Sequence, residues 1–425
     1  MEGVEERLEK VYQLIDAIAA HRDEMIATAI LDTGFTRREC TIEVDMVLTN
    51  LKGFEEMATV FAGRAPLCDK DQEVALLLPY NGSAWLNTAI VSIYMVGNRV
   101  RVKFASRGSQ IARLTENIYK NIFGDFIRFD YDEGRNFLEK AVSDPGVPAI
   151  CLFGTDEYAI RYLDAIKLRQ KKFVFEGPGK DPFIVLPGAD LEDAARELAH
   201  SKYIYAGQTC TAPERVYLDA SIHDDFLNIF MEFSRAVRVG DPEDPETEMG
   251  PVASPRAIAA IKTQLADAVA LGGKIVLGGK IEGSLVYPTV VVDANQDMRG
   301  MRDEIFGPVV FISAFDTLEE AMRLARDNRY GLRAAIYGGD EEGERLRAAL
   351  VGEPYCHRVS EMTFGRFGTT AVNEPRSESW VGAFVSKAVG GYGYSGWIWE
   401  TIDDRFILKQ GPKLLSIETS TEIAG

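Results

Sequence analysis

Between residues 73 and 176, five short apolar runs alternate with stretches of helical period: EVALLLP (73–79), RVRVKFA (99–105), DFIRFDY (125–131), VPAICLF (147–153) and KKFVFE (171–176). The intervening helices are predicted near 82–96, 108–121 and 133–142, with another before 171. Runs that are apolar throughout belong to strands buried on both faces, and parallel strands need a crossover long enough to hold a helix. The pattern predicts a mostly parallel, Rossmann-like α/β sheet whose ligands sit beyond the carboxyl ends of its strands. From FIVLPG (183–188) a second α/β pattern begins, with helices near 190–203, 221–236, 254–271, 317–328 and 340–350. Its strands are expected near 214–219, 285–292, 308–314 and 333–338. Ahead of the first sheet, Val4, Leu8, Val11, Ile15 and Ile18 recur at helical spacing. Residues 3–33 therefore read as helical with one break, followed by a helix over 41–60. DPEDPETEMGP (241–251) and GGYGYSG (390–396) read as loops.

A chain of 425 residues exceeds what one hydrophobic core usually supports, which predicts two large domains and a smaller element. With 46% apolar and 26% charged residues it has material for a packed interior, and global disorder is excluded. The formal charge of -18 repels phosphate backbones, so nucleic acid is not expected as a partner, although local cations or helix amides still permit a small anionic ligand. Cys40, Cys68, Cys151, Cys210 and Cys356 are dispersed and form no CxxC pair, which argues against a disulfide framework or a zinc site and for a reducing, cytoplasmic setting. The first residues, MEGVEERLEK, have no signal-peptide pattern, and no apolar run approaches membrane-spanning length.

Three positions could carry chemistry. Cys210 lies among small residues in AGQTCTAPERV, and a thiolate there can add to a carbonyl carbon. Glu176 ends a predicted strand, where a carboxylate could serve as general base. Asn81, in LLLPYNGS, could donate to a developing oxyanion. Taken singly, each has an ordinary alternative: a buried structural thiol, a solvated carboxylate beside a turn, and an Asn-Gly turn. No Gly-rich dinucleotide fingerprint follows a strand and no phosphate-binding GKS or GKT loop appears, so residues alone lead to an α/β enzyme of unspecified reaction.

Together these positions resemble the aldehyde dehydrogenase superfamily from about residue 5 to about residue 420. AGQTCTAPERV resembles the family's catalytic-cysteine motif, EGPGK (176–180) its general-base motif, and EIFGPVV (304–310) its nicotinamide-ribose motif. The separations, 34 residues from Glu176 to Cys210 and 94 from Cys210 to Glu304, also fit. The resemblance implies NAD(P)-dependent oxidation of a small-molecule aldehyde to a carboxylic acid, through a thiohemiacetal and a thioester on Cys210. It makes Glu176 the base for the deacylating water, and the Cys210 amide with Asn81 the oxyanion hole. Lys103 is implied at the adenosine ribose, Gly154 and Thr155 at the pyrophosphate, Glu304 at the nicotinamide ribose, and Phe306 beside it. It further implies a discontinuous cofactor domain (1–61 and 77–182), a catalytic domain (183–394), and oligomerisation strands (62–76 and 411–420) that build a homodimer or homotetramer.

Departures from the family pattern carry their own expectations. The usual Leu-Gly-Gly after the base is Gly177-Pro178-Gly179, a stiffer turn. The usual Lys-Pro-Ser-Glu is Lys103-Phe104-Ala105-Ser106, followed by Arg107. The carboxylate that would hold a ribose 2′-hydroxyl is therefore missing, and NADP should be tolerated or preferred over NAD. The beginning of the chain is shorter than is usual in the family, which is expected to weaken assembly. The substrate pocket is expected to include Thr209, Thr211, Trp85, Trp380 and Arg376. The aromatics suit an apolar aldehyde, whereas Arg376 would either pair with a substrate carboxylate or be a solvated loop residue. Two alternatives stay open: an acyl-coenzyme-A-linked dehydrogenase or reductase of the same fold, and a catalytically impaired dinucleotide-binding homologue.

Overall fold

The computed structural model describes residues 2–55, 58, 65–84, 86–352, 355–356, 363–364, 367, 369–375 and 397–409. Its first sheet contains β1 (Val74–Leu78), β2 (Val100–Phe104), β3 (Ile127–Phe129), β4 (Ala149–Phe153) and β5 (Lys172–Glu176), all parallel, in the order β3-β2-β1-β4-β5. The order turns back between β1 and β4, which opens a crevice at their carboxyl ends. Central strand β1 reads VALLL because both of its faces are covered by helices.

The second sheet begins at β6 (Asp181–Val185) and β7 (Pro213–Asp219), with β8 (Lys274–Leu277) at its far edge. After a small ribbon of β9 (Ile281–Glu282) and β10 (Leu285–Val286), the sheet gains β11 (Thr289–Val292), β12 (Val309–Phe315) and β13 (Arg333–Tyr337). A second ribbon joins β14 (Tyr355–Cys356) to β15 (Thr363–Phe364), and β16 (Thr369–Val372) completes the order β16-β13-β6-β7-β12-β11-β8. Only β8 runs antiparallel among these described strands. Finally β17 (Trp397–Ile402) and β18 (Arg405–Lys409) form a hairpin that adds antiparallel to β5. A buried ion pair, Lys172 to Glu400 at 3.1 Å, ties that hairpin to the first sheet.

The helices before β1 form a bundle on the first sheet. Helices Val4–Ala20 and Arg22–Thr33 meet at His21, which is the break expected in residues 3–33. Val11, Leu14 and Ile18 share one core with Ile90, Tyr94 and Phe123. Burial of each such large side chain is worth about 1.5–3 kcal/mol. The next helix runs Arg37–Lys52 rather than from 41, because Thr36 and Glu39 form a capping box that starts it earlier.

Several other boundaries move for local reasons. The helix expected at 82 begins at Asn87, after turns over 81–84. The strand expected over 285–292 is split, since Pro288 has no N–H for the ladder. Residues 74–76 belong to β1 and not to an outer element spanning 62–76: they pair with β2 on one side and β4 on the other. Residues 62–64 and 411–420 lie outside the described residues, as do Trp85, Arg376 and Trp380. No described helix is long and apolar enough to cross a membrane.

Candidate active site

A cavity of about 770 Å³ lies at the carboxyl ends of the first sheet, facing the start of the second. Asn81 reaches it from the turn after β1, Lys103 from the end of β2, Gly154 and Thr155 from the turn after β4, and Glu176 from the last position of β5. Cys210, Thr211, Glu304 and Phe306 line the opposite wall, and Ser106 the rim. The sheet thus gathers residues separated by up to 225 positions, Asn81 to Phe306, into one site. Arg107 is exposed and Thr209 buried, and neither belongs to the described lining.

The cysteine loop is held in an unusual shape. Tyr205, Ala206 and Gly207 all have left-handed backbones, with φ of 55°, 51° and 72°. For the two residues with a Cβ this conformation costs on the order of 1–3 kcal/mol each, so surrounding bonds must enforce it. Buried Gln208 supplies several: its amide nitrogen donates to the Tyr205 and Pro251 carbonyls at 2.9 and 3.2 Å. Its oxygen accepts from Tyr80 Oη at 2.9 Å and the Ala253 amide at 2.8 Å. A Cβ on Gly207 would run into the Gly307 carbonyl, so only glycine permits the EIFGP segment to approach this loop.

One buried carboxylate joins all three motif segments. Glu214 accepts Lys180 Nζ at 2.6 Å and the Ile305 amide at 2.9 Å. The Lys180 and Glu214 side chains are 0% and 2% exposed. Arg215, also fully buried, donates to the Lys180 carbonyl at 2.8 and 3.0 Å and to the Leu324 and Ala325 carbonyls. The Gly179 amide donates to Glu304 Oε1 at 3.2 Å. A Cβ on Gly179 would collide with the Cys210 carbonyl, so the Gly-Pro-Gly turn lies directly against the cysteine loop.

Electrostatics divide the cavity. Burial, reinforced by Glu214, raises the Glu304 carboxyl well above its ordinary range despite the Gly179 amide and Lys180. Burial lowers Lys103, partly offset by Asp130 and Asp132, and its Nζ donates to the Phe104 carbonyl at 2.6 Å. At the opening of helix Asp156–Leu168, Thr155 Oγ1 is buried and has no hydrogen-bond partner among the described residues. A free hydroxyl and free amides at a helix N-terminus fit a diphosphate. With Lys103 and Glu304 available for ribose hydroxyls, the donor set suits a dinucleotide.

The model of the aldehyde dehydrogenase family matches residues 3–397. The chain belongs to that family. Membership carries the reaction class, NAD(P)-dependent oxidation of an aldehyde. A vanillin dehydrogenase of Pseudomonas fluorescens is 28% identical over 385 residues, covering 85% of this chain and 80% of the relative. A succinate-semialdehyde dehydrogenase (NADP+) 1 of Mycobacterium bovis is 30% identical over 375 residues, covering 82% of each. In fold, the chain is similar to betaine aldehyde dehydrogenase of Staphylococcus aureus solved with NAD+, at TM-score 0.82 and 24% identity over 98% of this chain and 81% of that one.

Within this aldehyde dehydrogenase fold, sequence reasoning missed several residues of the cavity wall. Tyr330 Oη donates to Asp156 at 2.9 Å and Arg256 pairs with Glu157 at 2.7 Å, each contact bridging the two sheets' sides of the cleft. Arg333, buried on β13, lines the wall near Thr211, and burial lowers its pKa against Asp181, which raises it. Tyr80 and Gln208 sat inside quoted motifs and could have been singled out there. Arg256, Tyr330 and Arg333 stood in no motif.

Proposed function

We propose that Cys210 is the nucleophile of an aldehyde dehydrogenase that releases a free carboxylic acid. The observation that carries this reading is the convergence of Cys210, Glu176 and Asn81 on one cavity with the dinucleotide-type donor set. Cys210 Sγ, as thiolate, bonds to the carbonyl carbon, and the oxygen takes the electron pair of the C=O bond. The Asn81 side chain and the Cys210 amide donate to that oxyanion. The dinucleotide, held by Lys103, Gly154, Thr155 and Glu304, supplies the hydride acceptor. As the C–H bond breaks, the carbonyl re-forms and leaves a thioester on Cys210. Glu176 takes a proton from water, whose oxygen bonds to the acyl carbon, and the C–S bond breaks to restore the thiolate and free the acid.

The hydrolytic outcome is favoured over transfer to coenzyme A because a carboxylate stands at the end of β5, where it can hold the water. Ser106, on the cavity rim where the family's ribose-binding carboxylate would stand, favours acceptance of NADP, with Arg107 beside it to meet the 2′-phosphate. We assign the enzyme to the cytoplasm as a homodimer or homotetramer, with residues 62–73 and 411–420 as contact segments. The first assignment rests on the dispersed cysteines without a CxxC pair, and the others on the family resemblance. An aldehyde panel run with NAD and with NADP tests the reading: reduced nicotinamide should appear with the wild type and not with Cys210→Ser. Equal turnover by the two proteins would overturn Cys210 as nucleophile.

A further inference from the structure

The left-handed turn that presents Cys210 has a partner far away in sequence. Glu39 lies in the first turn of helix Arg37–Lys52, 166 residues before Tyr205, and is 3% exposed. One of its oxygens, Oε2, accepts the Thr36 amide at 2.7 Å, completing the capping box. The other, Oε1, accepts the Tyr205 amide. Capping the helix needs only the first of these bonds. The second falls on the first of three left-handed residues, five positions before the nucleophile. Phe35 packs its ring against that of Tyr205 at 4.8 Å, so the same short segment grips both the backbone and the side chain of this residue.

We infer that Glu39 is a positioning residue for the catalytic cysteine, its ionised carboxylate holding the Tyr205–Gly207 turn in the shape that aims Cys210 into the cavity. This rests on the assignment of Cys210 as nucleophile. An ionised carboxylate can accept both amides at once. A glutamine in the same place has one accepting oxygen and one donating nitrogen, so it can satisfy Thr36 or Tyr205 and must oppose a donor to the other. A protonated carboxyl has the same defect. Burial raises Glu39 to about 7, against the two amides, the Thr36 side chain and Arg38, which all lower it. The turn is therefore held less firmly as pH falls through that value.

The charged and titratable groups around it are few. Arg38, Cys40 and Glu43 lie on its own helix, and Cys40 senses Glu39, Glu43 and Glu243. Glu243 comes from the loop after helix His223–Ala236 and is paired with Arg37. The turn itself brings the Tyr205 side chain, whose ring lies against Phe35. Helices Val4–Ala20 and Arg22–Thr33 meet helix Arg37–Lys52 through an apolar cluster that includes Val11, Ile30, Phe35 and Val44. Asp32 on the second of these is bound to the Gln110 and Ile111 amides.

The test compares wild type, Glu39→Gln, Thr36→Ala and Cys210→Ser for kcat, KM and the rate of Cys210 alkylation by iodoacetamide across pH. Glu39→Gln should lower kcat about tenfold or more with the dinucleotide KM changed by less than about twofold. It should also slow alkylation and abolish the fall in activity below about pH 7. Thr36→Ala, which removes the cap's hydroxyl and leaves both carboxylate bonds, should lower Tm and keep the kcat reached at high pH, with the fall in activity moved to higher pH because that hydroxyl no longer lowers Glu39. Wild-type rates and pH profile in Glu39→Gln, or equal losses in Thr36→Ala, would overturn the inference. Amide exchange of wild-type residues 203–210 provides a check without variants: protection should weaken from about pH 8 to about pH 6 after correction for intrinsic exchange, and constant protection would overturn the inference. Activity surviving in Cys210→Ser overturns the nucleophile and this inference with it, whereas an inactive Cys210→Ser beside an indifferent Glu39→Gln overturns the inference alone.

Discussion

Glu39 carries a carboxyl that burial moves from 4.5 to about 7, at a place where the loop geometry calls for its ionised form. Because the folded value lies above the unfolded one, its stabilising contribution is complete below about pH 4.5 and is lost as pH rises through about 7. Stability and activity thus respond to this group in opposite directions. Urea unfolding at several pH values should show wild type losing about 3 kcal/mol relative to Glu39→Gln over that window. A pH-independent difference would contradict the burial of an ionisable group here. The Lys180–Glu214 pair makes a second prediction. Lys180→Met leaves a buried carboxylate that keeps its bond from the Ile305 amide and loses its cation, and should cost about 3–5 kcal/mol in urea unfolding. Pairing it with Glu214→Leu should restore most of that loss. Cys210, Glu176, Asn81 and Glu304 were legible because each sits in a motif whose neighbours are read together. Glu39 was not: in sequence it is one acidic residue among many, and its partner is a backbone amide in a turn whose first two left-handed residues are tyrosine and alanine rather than the glycine or asparagine that would signal such a shape.

Elements were legible wherever hydrophobic period was strong. The five parallel strands of the first sheet and the main crossover helices stand within a few residues of their expected places, since β1, β4 and β5 are apolar on both faces. The exposed edge strand β8 was missed because its residues carry no burial pattern, and β17 and β18 were missed because they join a sheet that is more than two hundred residues earlier in sequence. The Gly-Pro-Gly turn follows β5 and lies against the cysteine loop, and its geometry explains why its last residue is glycine. Gly179→Ala should push the Cys210 carbonyl away and lower kcat about a hundredfold, since displacing a catalytic group by about 1 Å can have that effect. Steady-state assay with Tm measured alongside checks it; wild-type kcat in a folded variant would show that the turn and the cysteine loop move independently.

At the scale of the whole molecule, two mostly parallel sheets face each other across one cleft, and the chain's acidity of -18 leaves that cleft with its own local cations, Lys103, Arg256, Arg329 and Arg333. The mostly parallel α/β architecture was readable from the alternation of strands and helices, while the way the cleft closes was not, because Tyr330–Asp156 and Arg256–Glu157 are contacts between segments that share no motif. The central claim is that this cleft makes a thioester on Cys210 and that Glu176 directs water to it. Intact-mass and peptide analysis of Glu176→Gln, mixed with an aldehyde that the wild type oxidises and an excess of dinucleotide, tests it most directly. One reduced dinucleotide per active site should appear in a burst, followed by slow turnover, with the acyl mass on the peptide containing Cys210. Undiminished steady-state turnover with no acyl adduct, or an adduct on another residue, would contradict it.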